Sequence, residues 1–296
     1  MRKNHKNVGR LLCLLLTLCM TLSTLSAAAL AVESASGEVV INEANFPDAN
    51  FRKCVAEYDS DKNGALSDAE RAATVKMDVW GKKIENLQGI EYFTALKSLD
   101  CRENQLTSLD LSKNVALEEL NCGLNCLTSL DLSHNTALKT LGCECNQITA
   151  LDVSHNAALR DVYCGDNRLL SLDFSKNAAL VNLDCALNYL TSLNVSNNAA
   201  LRILYCEFNQ LKTLDVSHNT RLGGFDCGYN RLIELDLSKN KSLFSMICSG
   251  NRLTALDVSN NKEPKEFGLR LEPVDHLGFD RKFATGRAGL LWKLDG

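Results

Sequence analysis

From Leu96 onward, apolar and polar positions recur every 21 residues through eight copies, beginning at Leu96, Leu117, Leu138, Leu159, Leu180, Leu201, Leu222 and Leu243. The shared pattern reads LxxLxCxxNxLTxLDxSxNxx. Apolar residues at positions four and six, such as Leu120 and Cys122, alternate with polar ones and predict a short strand with one inward face. A strand this short cannot bury that face alone. Stacked copies can, at about 4.8 Å per step, which predicts a parallel sheet roughly 40 Å long. Leu127, Leu130 and Leu132 fall where the return half of each coil would also point inward. Pro47, Pro264 and Pro273 all lie outside the block and mark its edges.

On these copies the chain resembles the leucine-rich repeat, and most closely the 21-residue, cysteine-bearing variety of internalin-like surface proteins of Gram-positive bacteria. The resemblance covers residues 96–263. It implies an α/β repeat fold, a leucine-rich-repeat solenoid with a curved parallel sheet, and a role in adhesion. The run Gly89-Ile90-Glu91-Tyr92-Phe93 is similar to the entry segment of such domains, after a degenerate first repeat over 74–95 with Met77, Val79, Ile84 and Leu87 inward.

The repeated polar residues read as structural. Asparagine at position nine (Asn104 through Asn251) can satisfy backbone groups where each strand turns away and bridge to the next coil. The Asp-x-Ser of the return limb, as in Asp110 and Ser112, predicts a local turn. Eight of the thirteen cysteines occupy position six, from Cys101 to Cys248. There a thiol serves as a small inward hydrophobe, and in-register neighbours on parallel strands are poorly placed for a disulfide. Cys54, Cys126 and Cys145 fall outside that column, and Cys145 is a candidate reactive thiol. His134, His155 and His218 share a tolerant turn position that also admits Lys and Asn. No catalytic constellation emerges, so the chain reads as a non-enzyme.

A solenoid needs its first coil covered. Residues 39–73 predict a small helical cap containing the twelve-residue stretch Asp59 to Glu70, which has the EF-hand pattern. Asp59, Asp61 and Asn63 supply oxygens at positions one, three and five. Gly64 permits the turn, Ala65 offers its carbonyl, Ser67 acts through water, and Glu70 closes the shell with two oxygens. Phe51, Val55 and Tyr58 predict a helix before the loop, capped by Asp48 or Asn50, and Ala69 to Met77 predict one after it. The loop is single, which favours one structural Ca2+ over a sensor pair.

Composition adds location. Arg2, Lys3, Lys6 and Arg10 precede the apolar run Leu11 to Leu18, and Ala29-Leu30-Ala31 supplies small residues for cleavage, so 1–31 reads as an export signal. Its loss removes four bases and no acids, taking the net charge from −4 to −8. Without a basic surplus, nucleic acid is not an expected partner. The mature chain, with no second apolar stretch, is expected to be a secreted monomer, and 264–296 loses the period and reads as a tail or cap.

With the ladder residues committed inward, specificity is left to the outward positions three, five, seven and eight. Later copies place aromatics among carboxylates there: Tyr163, Asp184, Tyr205, Phe208, Asp226 and Tyr229. The reading is a binding module for an extracellular protein or glycan on its concave face. The competing readings are an envelope spacer without a ligand and, more remotely, an enzyme.

Overall fold

The computed structural model describes residues 37–261 and the backbone of 266–268 and 291–293. The export segment and most of the tail lie outside the described residues. The chain divides into two compact units, one of residues up to 137 with 142–148, the other of 138–141 with 149 onward.

The first unit begins with the cap. Strand β1 (Val39–Val40) pairs antiparallel with β2 (Ala65–Leu66), and between them lies α1 (Ala49–Val55). Asp48 caps α1, accepting from the amides of Asn50 and Phe51 at 2.9 and 2.8 Å. Its second oxygen accepts from the Glu85 amide at 2.8 Å, tying the cap to the first repeat. Phe46, Phe51, Val55, Leu66 and Phe93 are fully buried. Gly89 is required at the junction. Its φ of 102° is left-handed, and a Cβ there would lie 2.2 Å from the Phe46 ring.

The helix expected from Ala69 to Met77 is shorter. Helix α2 spans Asp68–Ala73 behind a capping box made by Ser67 and Glu70. Thr74 ends it, its hydroxyl donating to the Glu70 carbonyl at 2.8 Å. Residues Lys76–Asp78 instead form β3, paired in parallel with β4 (Ser98–Asp100), which in turn pairs with β5 (Glu119–Asn121). Sheet pairing in the degenerate first repeat overrides helical spacing over these few residues. Met77, Val79, Ile84 and Leu87 point inward as expected.

Strand β6 (Thr140–Gly142) lies where the two units meet in sequence. In the second unit, β7 (Asp161–Tyr163), β8 (Asn182–Asp184), β9 (Ile203–Tyr205), β10 (Gly224–Asp226) and β11 (Ser245–Ile247) pair in parallel, each one repeat from the last. The register continues past the eight copies: β13 (Glu266–Gly268) pairs with β11, Ser245 opposite Glu266. The 21-residue register therefore continues for one more strand, inside the stretch 264–296 where the residue pattern is lost. On the return side, β12 (Ala255–Asp257) pairs antiparallel with β14 (Leu291–Lys293). Each unit is thus a stretch of leucine-rich-repeat solenoid.

Inside each coil the eight ladder cysteines are buried, and no disulfide forms among the described residues. Burial raises the Cys248 thiol to about 11 and holds those of Cys122, Cys206 and Cys227 well above their ordinary value. The position-nine asparagines reach back to the preceding coil rather than on to the next. Asn188 donates to the Cys164 carbonyl at 3.1 Å and accepts from the Leu169 amide at 2.9 Å, both one coil earlier. A second, unanticipated asparagine column runs along the return limb at position nineteen. Asn198 is fully buried and donates to the carbonyls of Phe174 at 3.1 Å and Asn177 at 2.9 Å.

Candidate recognition face and metal loop

The register of the second unit sets the candidate face. Tyr163, Asp184, Tyr205, Asp226 and Ile247 stand opposite one another on successive strands, a row of about 19 Å at the usual strand spacing. Strand alternation makes this row point outward, because the flanking Val162 and Cys164, for example, are buried. Tyr163 and Tyr205 are each 40% exposed.

Three residues further along each copy, at position eight, the chain turns. Phe208 and Tyr229 hold left-handed φ values of 55° and 52°, a conformation that costs a non-glycine residue about 1 kcal/mol or more. A ladder hydrogen bond offsets that cost: the Tyr229 amide donates to the Ser249 carbonyl at 2.7 Å. The two rings stack at 4.4 Å between centroids and 5° between planes. Gly250 extends the column without a side chain, since a Cβ there would lie 2.6 Å from the Tyr229 ring. Neighbouring coils thus brace a half-exposed aromatic wall beside the tyrosine row.

The carboxylates of the row are anchored by their own backbone. Asp184 accepts from the Ala186 amide at 3.0 Å and Asp226 from the Gly228 amide at 2.9 Å. Burial raises the Asp226 carboxyl above its ordinary value. The Gly228 amide opposes that rise, and the Asp184 charge adds to it. In the first unit the matching Asp100 is paired with Arg102, whose Nε donates to it at 2.9 Å. All six sequence-chosen partner residues, Tyr163, Asp184, Tyr205, Phe208, Asp226 and Tyr229, lie in the second unit, five on adjacent strands or the turns after them and Tyr163 one strand before. Sequence spacing missed the ring stack and the left-handed turn that supports it. The long run of non-glycine residues at position eight hides that conformation.

In the cap, Asp59, Asp61 and Glu70 bring ligand oxygens within 4.8 Å of one another, and Lys62 and Gly64 take the left-handed turns of the loop. Glu70 accepts from the Ser60 amide and hydroxyl at 2.6 and 2.7 Å and from those of Ser67 at 2.9 and 2.8 Å. Those bonds, led by the Ser60 hydroxyl, lower its carboxyl to about 2. Asn63 turns its oxygen to the Ala65 amide at 2.8 Å and its nitrogen toward Asp61. Three carboxylates converge, which suits a hard cation. Asn63 and Glu70 would have to exchange present hydrogen bonds for coordination. Ala65 belongs to β2, whose partner is β1 of the same chain, in the place a second loop takes in paired EF-hands. The three turn histidines are exposed, each 3.1–3.2 Å from the neighbouring serine hydroxyl.

No family model matches the chain. It is 37% identical over 70 residues to Internalin J of Listeria monocytogenes, covering 23% of this chain and 8% of that protein. Among solved structures it is similar to the functional domain of InlJ from Listeria monocytogenes, described as including a cysteine ladder. There the TM-score is 0.64 at 34% identity, over 77% of this chain and 56% of that one. The fold also matches internalin C2 of the same species, with a TM-score of 0.68 at 20% identity over 74% of this chain and all of that one. The chain thus spans about half of the solved InlJ domain and a small part of the curated Internalin J.

Proposed function

Because the chain is an internalin-like leucine-rich-repeat protein with a cysteine ladder, we propose that it is a secreted binding protein. In this reading it recognises an extracellular protein or glycan through the outward rows of its sheet, by contact rather than catalysis. One observation carries the reading. Strands in strict register hold Tyr163 and Tyr205, and the turns after them hold the stacked Phe208 and Tyr229, all half-exposed among carboxylates, where the repeat itself demands no aromatic residue. Aromatic anchors on a rigid scaffold are the usual core of a protein or glycan contact. Secretion rests on the leader pattern of residues 1–31. Among the described residues no helix is long and apolar enough to cross a membrane.

The test is capture of partners, from extracellular protein extracts and on a glycan array, by the chain from residue 32 onward. Wild type is compared with a variant carrying Tyr163→Ala, Tyr205→Ala and Tyr229→Ala. The reading predicts a bound partner that the triple variant loses while its melting curve is kept. A partner retained in full by the variant would contradict recognition at this face, and capture of no partner at all would favour a spacer without a ligand. N-terminal sequencing of exported protein should begin at Val32.

The cap belongs to the same proposal as a structural calcium site. Asp59, Asp61, Asn63 and Glu70 would supply side-chain oxygens, Ala65 its carbonyl, and Ser67 a water contact. The ion would fasten α1 to α2 over the first coil, with a dissociation constant on the order of 10⁻⁴ M. Added Ca2+ should raise the melting temperature and chelator should reverse the rise, with Asp59→Ala removing both effects. A chain indifferent to calcium would remove the metal and leave the recognition face standing.

A further inference from the structure

The outward rows of the second unit are one-sided in charge. Across repeats four to eight, positions three, five, seven and eight amount to twenty residues. They hold five carboxylates, Asp161, Asp166, Asp184, Glu207 and Asp226, and not one lysine or arginine. The basic residues of the same repeats fall elsewhere, as with Arg160 and Arg202 before the strands and Arg231 after a buried asparagine. In repeats one to three the same positions also lean acidic, with Asp100, Glu103, Glu119 and Glu144, but they include a base, Arg102, which pairs with Asp100. On a two-strand step Asp184 and Asp226 are separated only by the Tyr205 strand. Their charges oppose each other, and a cation set between them would relieve that opposition.

From this charge complementarity we infer that the partner of the tyrosine row is a protein segment rich in arginine or lysine, lying across β7 to β11. The inference rests on the recognition reading above and names the chemistry of its partner. Long cationic side chains match both halves of the surface. Their heads meet carboxylates already fixed by the Ala186 and Gly228 amides, so little ordering is needed on this side. Their apolar stems cover the half-exposed rings of Tyr163, Tyr205, Phe208 and Tyr229. An anionic segment would meet five like charges. A neutral glycan would use the rings and leave the charge bias without a role.

Calorimetric titration of the whole exported chain tests this with a peptide of about twelve residues alternating Arg and Gly. At about 3.3 Å per residue that length crosses the row. The wild type should bind, with affinity falling as salt is raised. The pair Asp184→Asn with Asp226→Asn should lose about tenfold or more. The control pair Asp152→Asn with Asp173→Asn, which removes the same charge from the return limb, should stay within about twofold. Equal losses from both pairs would overturn the inference, because net charge alone would then explain binding. So would a wild type that ignores the peptide, or one that binds a neutral glycan unaffected by the Asp184/Asp226 pair. In that last outcome dependence on the three tyrosines would still uphold recognition at this face, whereas independence from them would sink both claims.

Discussion

Replacing Asn188 by alanine isolates the polar ladder that holds one coil to the one before it. Its amide nitrogen donates to the carbonyls of Cys164 and Cys185 at 3.1 and 3.2 Å, and its oxygen accepts from the Leu169 amide at 2.9 Å. The consequences differ by group. The Cys164 carbonyl keeps a bond from Asn167 and the Cys185 carbonyl keeps one from Asn209, so each loses one of two donors. The buried Leu169 amide loses the acceptor it faces. An orphaned buried amide costs about 1–3 kcal/mol, and each lost neutral bond about 0.5–1.5 kcal/mol, so the change should cost about 2–6 kcal/mol. Domains of ordinary size are stable by about 5–15 kcal/mol, so the effect is a large share of the total. Urea unfolding followed by circular dichroism measures it, with Asn197→Ala on the exposed neighbouring turn as a control expected within about 0.5 kcal/mol. Repeat arrays open locally, so amide exchange should also accelerate at Leu169 before distant coils. A cost under about 1 kcal/mol with Leu169 exchange unchanged would refute the ladder argument.

Two other perturbations probe different parts of the fold. Gly89→Ala places a methyl group into the Phe46 ring on a left-handed backbone. It should cost at least about 2 kcal/mol in the same urea assay, and a neutral result would show that the junction between cap and first repeat is loose. The carboxylates of Asp110, Asp173, Asp215 and Asp236 are each held below their ordinary value, first by the amide and then by the hydroxyl of the serine two residues on. A depressed folded pKa gives stability that is present above the unfolded value, about 3.9, and is lost as pH falls through the folded values. Melting temperature should therefore decline below about pH 4, and Asp215→Asn with Asp236→Asn should flatten that decline. Asn194 already fills this role in one copy, accepting from the Ser196 amide at 3.0 Å, so the substitutions should fold. An unchanged slope would refute the assignment.

The parts of this molecule that were legible in sequence are those governed by period. A 21-residue recurrence fixes which residues share a strand position, and from that follow the inward cysteines, the position-nine asparagines and the outward tyrosines. Features governed by local context were less legible. Asn198 and its equivalents recur in the 21-residue pattern at position nineteen, but the recurrence alone does not reveal that the coil closes over them. The strand at Glu266–Gly268 was hidden because Pro264 takes the place of the leading leucine and Leu269 that of the cysteine. Helix α2 stops at Ala73 because Lys76–Asp78 gain a strand partner, which helical spacing cannot register. The Phe208–Tyr229 stack depends on a left-handed turn that neither residue type signals.

The division of each coil into a sealed side and a recognition side is measurable through its sulfurs. Alkylation of the native chain, followed by mass analysis of its peptides, should leave Cys101, Cys122, Cys143, Cys164, Cys185, Cys206, Cys227 and Cys248 unmodified. The same reagent in denaturant should label all eight as single thiols. Rapid labelling of these cysteines in the folded chain, or their recovery as linked pairs, would place the wrong rows inside and leave the tyrosine face without support.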